Sequence, residues 1–158
     1  MALLELKDVT RHFDIRPGLF ARTVRGQDVR KIKAVEAVNF SLGRNEVLGI
    51  AGESGCGKST TCMMIAGLLS PSSGDILYNG ESILSMSAHA LREHHRKVQM
   101  IFQDPYESLN PRFRVADIVA EGPRALRLWP EGEIARRVRD LLDGVGLPPD
   151  KYSTRYPH

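Results

Sequence analysis

The octapeptide GESGCGKS at residues 52–59 constrains the fold of this chain more than any other part of its sequence. It fits the pattern G-x-x-x-x-G-K-[S/T], which is typical of a loop whose backbone N–H groups surround a phosphate. Gly52, Gly55 and Gly57 allow backbone angles that a side chain forbids. The almost wholly apolar run EVLGIAG leads into the loop and predicts a strand buried on both faces. A strand, this loop and a helix in succession predict an α/β phosphate-binding fold.

The loop is followed by a predicted helix with the sequence KSTTCMMIAGLL. Several residues of the loop and of the first turn of this helix have an expected role. The helix begins at about Lys58, so the positive end of its dipole faces the same phosphates. Lys58 is expected to reach the β- and γ-phosphates, and the Ser59 hydroxyl is expected to bind Mg²⁺. Thr60 offers a further N–H and a hydroxyl group. Cys56 lies inside the loop, and we expect bound MgATP to slow its alkylation; the alternative is an inert small residue.

Short apolar or alternating runs predict the other strands. LLELKDV (Leu3–Val9) and AVEAVNFSL are two of them. Residues 14–31 between them carry Pro, Gly and many charges without a clear period, which predicts an inserted loop. GDILYNG predicts a strand followed by a turn, and VQMIFQ predicts a further buried strand that is stopped by Asp104-Pro105.

Later segments predict helices. A polar helix is expected around Ala88–His95. The last third of the chain contains VADIVAEGPRAL and EIARRVRDLLDGVG, both with helical character, and glycines close the second of them. The first two thirds therefore mix strands with helices, and the last third is helical.

Composition bounds the class of protein. The length of 158 residues suits one domain with a real core. With 22 basic and 19 acidic residues the formal charge is only +3, so no nucleic-acid partner is predicted from charge. There is no signal-peptide pattern, and no apolar run approaches the roughly 20 residues that span a bilayer. Two cysteines suggest no disulfide framework. These features predict a cytosolic globular protein.

A second landmark narrows the type of phosphate-loop protein. VQMIFQDPYESLNPR (Val98–Arg112) places Gln103 at the end of a predicted strand, 45 residues after Lys58 (103 − 58). Together with GESGCGKST, this resembles the ATP-binding subunits of ABC transporters, and FQDPYESLNP with the closing RYPH resembles their oligopeptide/dipeptide importer branch. The resemblance extends over nearly the whole chain. It implies an α/β P-loop NTPase (RecA-like) core with an antiparallel β subdomain and the incomplete start of a helical subdomain.

The same resemblance implies a domain layout. Residues 1–158 would be the N-terminal portion of the nucleotide-binding domain. Residues 1–13 and 33–105 would form the catalytic core and β subdomain, residues 14–32 the inserted loop, and residues 106–158 the truncated helical subdomain.

Site residues and partners also follow from the resemblance. Phe13 matches the aromatic residue that stacks on adenine, and Gly52 to Thr60 match the Walker A loop. Gln103 matches the glutamine that senses Mg²⁺ and the attacking water, so Lys58 and Gln103 are the expected catalytic residues, and Ser59 and Gln103 the expected Mg²⁺ ligands. The alternative for Gln103 is a polar residue that merely ends a strand.

The implied function is the ATP-binding component of an ABC importer that couples ATP binding and hydrolysis to peptide uptake. The implied cofactors are ATP and Mg²⁺. The implied partners are transmembrane permease subunits, a second ATP-binding subunit, identical or a sister chain, and indirectly a solute-binding protein. The chain would then lie in the cytoplasm, peripheral to the inner face of the cell membrane. Dipeptides, oligopeptides, glutathione and nickel all stay open as the transported solute.

Several family motifs do not occur in the 158 residues. Members of the family continue after Tyr-Pro-His with an LSGGQ-type signature, a Walker B aspartate with its catalytic glutamate, and a switch histidine. Our interpretation is that the chain is the N-terminal portion of a longer ATPase. It is then expected to bind ATP with weak or absent hydrolysis by itself, since a general base contributes on the order of 10²–10⁴ in rate. Exposed apolar strand edges are expected where neighbouring strands are missing.

Other classes of protein stay open at this point. A small-molecule kinase would use Asp104 as its magnesium-side acid and three arginines as a phosphate-binding lid. Gln103 and Pro105 argue against this kinase. A truncated, non-catalytic nucleotide-binding module is the third reading. The lid arginines are Arg136, Arg137 and Arg139, and their alternative is a solvated helix face.

Three histidines raise the question of a metal site. A separation of five residues and then one does not bring them to one helical face, so they are predicted to be surface residues rather than metal ligands. They are His89, His94 and His95.

Overall fold

The structure is a computed structural model and describes residues 2–15, 30–104 and 108–158. The chain divides into two compact units, Met1–Met100 and Ile101–His158. Within the described residues, the first unit contains a sheet and two helices, and the second contains three helices.

The first unit is built on a four-stranded antiparallel sheet with the order β2-β1-β3-β4. Strand β1 pairs with β2 from Leu4 opposite Leu42 to Ile15 opposite Arg30, and the register shifts three times between Leu6 and His12. These shifts are β-bulges or irregularities, which bend and twist a strand. The strands are β1 (Leu4–Ile15), β2 (Arg30–Leu42), β3 (Ser73–Tyr78) and β4 (Glu81–Ser82).

The described part of this unit also contains two helices, α1 (Lys58–Ile65) and α2 (Ala88–Lys97). Helix α2 starts where the Ser87 hydroxyl accepts a hydrogen bond from the Ala90 N–H at 3.2 Å, which is a typical N-cap. Met64 of α1 is fully buried in the core cluster formed with the sheet. The core of the unit consists of Leu4, Leu6, Val9, Val35, Met64, Ile76 and Ile83.

The second unit contains α3 (Val115–Ala125), α4 (Glu131–Gly144) and α5 (Pro149–Tyr152). In α4, Ile134, Val138 and Leu142 recur every four residues, and all three are buried with Ala120 of α3. Two acidic residues in the first turn of α4 complement the positive end of its dipole.

Backbone carbonyl groups from the end of the chain cap the start of α3. The Val115 N–H donates to the Arg155 carbonyl at 2.8 Å, and the Ala116 N–H donates to the Ser153 carbonyl at 3.1 Å. The N-cap residue Arg114 makes no capping hydrogen bond through its side chain. The carbonyl groups therefore satisfy two of the first-turn N–H groups that a helix leaves without a partner.

Most predicted elements are confirmed. The first strand continues to Ile15, and the predicted helices near residues 58, 88, 115 and 131 are present. The predicted inserted loop is wrong at its ends, because residues 14–15 and 30–32 belong to the paired strands β1 and β2. The rest of that prediction, residues 16–29, lies outside the described residues.

Two predicted buried strands are wrong. Residues 46–52 and 98–103 form no strand, and Val47 is 99% exposed and Ile101 93% exposed. An apolar run becomes a strand only when a neighbour accepts its backbone hydrogen bonds. Within the described residues, neither segment has such a neighbour. The expected exposed strand edges are therefore absent from these two segments, although apolar side chains in both are exposed.

The surface location predicted for His94 is also wrong, since only 2% of this residue is exposed. Its ring meets the edge of Tyr78 with the centroids 5.0 Å apart, and its Nε2 lies 3.0 Å from the Ile65 carbonyl oxygen. His89 is exposed as predicted, and His95 is half-buried. None of the helices in the described part of the chain is both long and apolar enough to cross a bilayer.

Candidate nucleotide site

Two glycines shape the loop that enters α1. Gly55 has a φ of 83° and Gly57 a φ of 97°, both in the left-handed region. A Cβ at Gly57 would lie 2.3 Å from the carbonyl oxygen of Ala34 and 3.0 Å from a methyl group of Val35. Both the backbone angle and the close packing on β2 therefore require glycine at this position.

The start of α1 suits an anion. Its N-cap, Gly57, makes no side-chain capping bond, and its first turn contains no acidic residue. The N–H groups of that turn have no intrahelical partner and carry the positive end of the helix dipole. The buried Thr61 hydroxyl donates to the Gly57 carbonyl at 3.0 Å, which ties the loop to the helix. The predicted helix start at Lys58 is confirmed.

The Lys58 ammonium lies over the loop. It donates to the carbonyl oxygens of Gly52 at 2.8 Å and Glu53 at 2.6 Å, and its Nζ is 3.5 Å from the Cys56 sulfur. The Cys56 N–H also donates to the Glu53 carbonyl, at 3.3 Å. The loop thus holds one fixed positive charge beside the first turn of α1. This combination of a cation and first-turn N–H groups without an intrahelical partner fits a phosphate group.

A cleft of about 420 Å³ adjoins the loop, and its lining includes Lys33 and Glu36 of β2 and Lys58. The Lys33 ammonium lies 2.7 Å from the Glu36 carboxylate, and His12 Nε2 lies 3.8 Å from it. The hydrogen bond from Lys33 holds the pKa of Glu36 below its ordinary value of 4.5, and the charges of Lys33 and His12 act in the same direction. Sequence reasoning did not identify Glu36 or Lys33 as site residues.

The predicted Mg²⁺ ligand Ser59 is exposed in the first turn of α1, and Thr60 beside it is half-buried. A hydroxyl oxygen is a suitable ligand for this hard cation. Among the residues that the structure describes, no group of three or more His, Cys, Asp and Glu side chains could hold an ion. In proteins Mg²⁺ usually takes most of its ligands from phosphate and water. A site with the Ser59 hydroxyl as its protein ligand fits an ion bound in this way.

Phe13 lies on β1 opposite Ile32, and 36% of it is exposed. It does not line the 420 Å³ cleft, although its neighbour His12 is paired with Lys33, which does. The guanidinium carbon of Arg11 lies 4.6 Å from the centre of the Phe13 ring. No sequence signal pointed to Arg11, because its contact depends on the irregular register of β1.

Gln103 belongs to the second compact unit, and its side chain is exposed, as is that of Asp104. The catalytic and Mg²⁺-binding roles of Gln103 stay predictions. Tyr106, which follows in the same motif, lies outside the described residues.

The arginines of the alternative kinase lid are engaged with carboxylates. Arg136 lies 3.2 Å from Asp140, and Arg139 lies 2.7 Å from Asp150. Arg137 is 3.0 Å from Glu133 and stacks over Trp129. These pairs favour the reading of a charged, solvated helix face over that of a lid.

Comparison with known proteins agrees with this geometry. The sequence profile of the ABC transporter family matches residues 35–157 of the chain. The oligopeptide transport ATP-binding protein AppF of Bacillus subtilis is 45% identical over 157 residues, which cover 99% of this chain and 46% of AppF. The glutathione import ATP-binding protein GsiA of Escherichia coli K12 is 40% identical over 156 residues, 99% of this chain and 24% of GsiA. The chain spans less than half the length of these relatives.

Solved structures show the same fold. The ATP-binding cassette MJ0796, determined as a dimer with ADP and phosphate bound, is 21% identical and superposes with a TM-score of 0.68 over 98% of this chain and 61% of that one. The protein cbiO1 from Clostridium perfringens, part of the transporter complex cbiONQ, is 26% identical with a TM-score of 0.59 over 98% of this chain and 54% of that one. The predicted α/β P-loop fold, present here in part, is confirmed.

Proposed function

Because the chain belongs to the ABC transporter family, a family of transport ATPases whose profile covers residues 35–157, we propose that it is the ATP-binding part of an importer of short peptides. The family predicted from the sequence is confirmed. Relatives at 40–45% identity are named for oligopeptide and for glutathione import, and both solutes are short peptides. Uptake of a peptide would be coupled to binding and hydrolysis of ATP.

The observation that carries the nucleotide assignment is the position of Lys58. Its ammonium lies against the loop carbonyls of Gly52 and Glu53, beside the first turn of a helix with no acidic residue there. The triphosphate would exchange these carbonyl contacts of Lys58 for stronger, charge-assisted ones. Ser59 would bind the accompanying Mg²⁺, and Gln103 would sense the ion and the attacking water. Phe13 would stack on the adenine.

The remaining parts of the proposal concern the assembly. The chain would work on the inner face of the cell membrane, with transmembrane permease subunits and a second ATP-binding subunit. A solute-binding protein would deliver the peptide. Support comes from the relatives, which are named as ATP-binding proteins of transport systems.

We further propose that residues 1–158 on their own bind ATP but hydrolyse it weakly or not at all. They contain neither the LSGGQ-type signature nor the Walker B carboxylates that the family uses for hydrolysis. Turnover by the purified residues that disappears with Lys58→Ala would contradict this part of the proposal.

The binding experiment is titration calorimetry of MgATP with the chain, with Lys58→Ala and with the control Lys7→Ala. Lys7 is an exposed lysine of the same unit that pairs with Glu5 at 3.4 Å. We expect Lys58→Ala to weaken binding at least about tenfold, since a charge-assisted hydrogen bond is worth about 1.5–3 kcal/mol. Lys7→Ala is expected to bind normally. Equal affinity of wild type and Lys58→Ala would overturn the assignment.

Transport is tested in cells whose chromosomal copy encodes Lys58→Ala. We expect these cells to lose uptake of a labelled tripeptide and to keep normal uptake of a free amino acid. Unchanged tripeptide uptake together with lost nickel uptake would replace the peptide by a metal ion as the solute.

A further inference from the structure

Phe13 is covered on one side by a cation. The guanidinium carbon of Arg11 lies 4.6 Å from the centre of the ring, within the distance of a cation–π contact. The two residues are separated by one position on β1, and 36% of Phe13 is exposed. The ring therefore has a cation on one side, while more than a third of the surface of the residue stays exposed.

Arg11 is held in place rather than free at the surface. Its Nη1 donates to the Ser70 carbonyl at 2.8 Å, and its Nε is buried without a hydrogen-bond partner among the described residues. A planar guanidinium can stack on a ring and donate a hydrogen bond at the same time, which an ammonium does less well. The contact with Ser70 therefore fixes the side chain that covers Phe13.

The same segment is bonded to β1 at two more points. The Ser72 N–H donates to the Thr10 carbonyl at 2.7 Å, and the His12 N–H donates to the Ser72 hydroxyl at 3.0 Å. Residues 70–72 follow α1 in the chain after four intervening residues, and α1 begins at the phosphate loop. These three bonds link the part of β1 that carries Phe13 to the segment that leaves the phosphate-loop helix.

We propose that Arg11 is a positioning residue that determines base recognition. It holds the Phe13 ring at a fixed place relative to α1 and occupies one side of the ring, so that a purine base stacks on the other side. The inference rests on the proposed function, because Phe13 has a base to stack on only if the loop binds a nucleoside triphosphate.

The proposal separates two parts of the ligand. The phosphates interact with the loop and with Lys58, whereas Arg11 acts on the base alone through Phe13. Arg11 therefore contributes to the affinity for MgATP and not to the affinity for magnesium tripolyphosphate, which has the phosphates and no base. A residue that merely stabilises the fold would change both affinities together.

The experiment measures the Kd of both ligands by calorimetry for the full chain, Arg11→Met and Arg11→Lys. We expect Arg11→Met to bind MgATP about two- to fivefold more weakly, from the size of an exposed cation–π contact. Tripolyphosphate affinity is expected to stay unchanged, and Arg11→Lys is expected to lie between wild type and Arg11→Met. Unchanged MgATP affinity, or equal weakening of both ligands, would overturn the proposal.

The result must also be distinguished from unfolding of the variant and from failure of the proposed function. If circular dichroism shows that Arg11→Met is unfolded, the same comparison with Arg11→Lys decides, because this variant keeps the charge and a donor to Ser70. Failure of the proposed function gives a different result from failure of the Arg11 proposal. In that case wild type binds neither ligand, or Lys58→Ala binds both as wild type does.

Discussion

The Cα of Gly57 lies so close to Ala34 that a Cβ on it would be 2.3 Å from the Ala34 carbonyl oxygen. The phosphate loop thus packs backbone to backbone on strand β2. Gly57→Ala is expected to destabilise the chain by at least about 1–2 kcal/mol, the cost of a left-handed residue with a side chain, and to reduce MgATP binding. Urea unfolding and calorimetry measure the two effects.

A matched control for this substitution is Gly132→Ala. Gly132 lies in α4, and a Cβ there would meet no atom within 4 Å. We expect this variant to be unchanged or up to about 1 kcal/mol more stable, since alanine is the better helix former. If both variants unfold at the same urea concentration, the close packing of Gly57 on β2 has no energetic consequence.

The two cysteines offer a test of nucleotide binding without mutation. Both are exposed, but Cys56 lies in the loop beside the Lys58 ammonium and Cys62 lies in the body of α1. Bound MgATP is expected to slow the alkylation of Cys56 several-fold and to leave Cys62 unaffected. Mass spectrometry of timed iodoacetamide reactions reports both rates in one sample. Equal protection of the two sites would indicate a global change, and no protection would contradict phosphate binding at the loop.

His94 connects α2 to the end of the phosphate-loop helix. Since the Ile65 carbonyl only accepts, the Nε2 of His94 donates to it at 3.0 Å. His94→Ala is expected to lower the free energy of unfolding by about 2–4 kcal/mol, from a cavity and a lost hydrogen bond. His94→Gln keeps a donor and is expected to lose less. Urea unfolding of the three proteins measures these differences. If His94→Ala is as stable as wild type, the contact of His94 with the Ile65 carbonyl does not stabilise the fold.

Protonation of Glu36 is expected to lower the stability of the chain in acid. The hydrogen bond from Lys33 lowers the pKa of Glu36 below 4.5 in the folded state. At a pH between the lowered pKa of the folded state and the ordinary pKa of 4.5, the unfolded state therefore binds more protons than the folded state. The stabilisation by Glu36 is complete above pH 4.5 and is lost as the pH falls through the lowered pKa. We expect wild type to be more stable than Glu36→Gln at neutral pH and this difference in stability to disappear in acid. Thermal unfolding at several pH values tests this, and a difference that is constant with pH would refute it.

Local features of the sequence predicted the parts of the structure that depend on local interactions. The loop at 52–59 and the start of α1 follow from glycines and a helix dipole, which act within a few residues. The apolar runs at 46–52 and 98–103 predicted strands wrongly, because a strand forms only when another strand pairs with its backbone, and the apolar pattern of a run does not show whether such a partner is present. The contacts of His94 and Arg11 were not predictable either. They depend on how α2 and the irregular β1 pack against residues 65 and 70.

The capping of α3 by the end of the chain has a consequence for exchange with solvent. The amide hydrogens of Val115 and Ala116 are held by the carbonyl groups of Arg155 and Ser153, about 40 residues further along. In most helices the first turn opens by local fraying, and its amide hydrogens exchange quickly. Here fraying also requires the last residues of the chain to detach. We therefore expect these two amide hydrogens to exchange with deuterium as slowly as those in the middle of α4, which makes the first turn of α3 a reporter of cooperative opening.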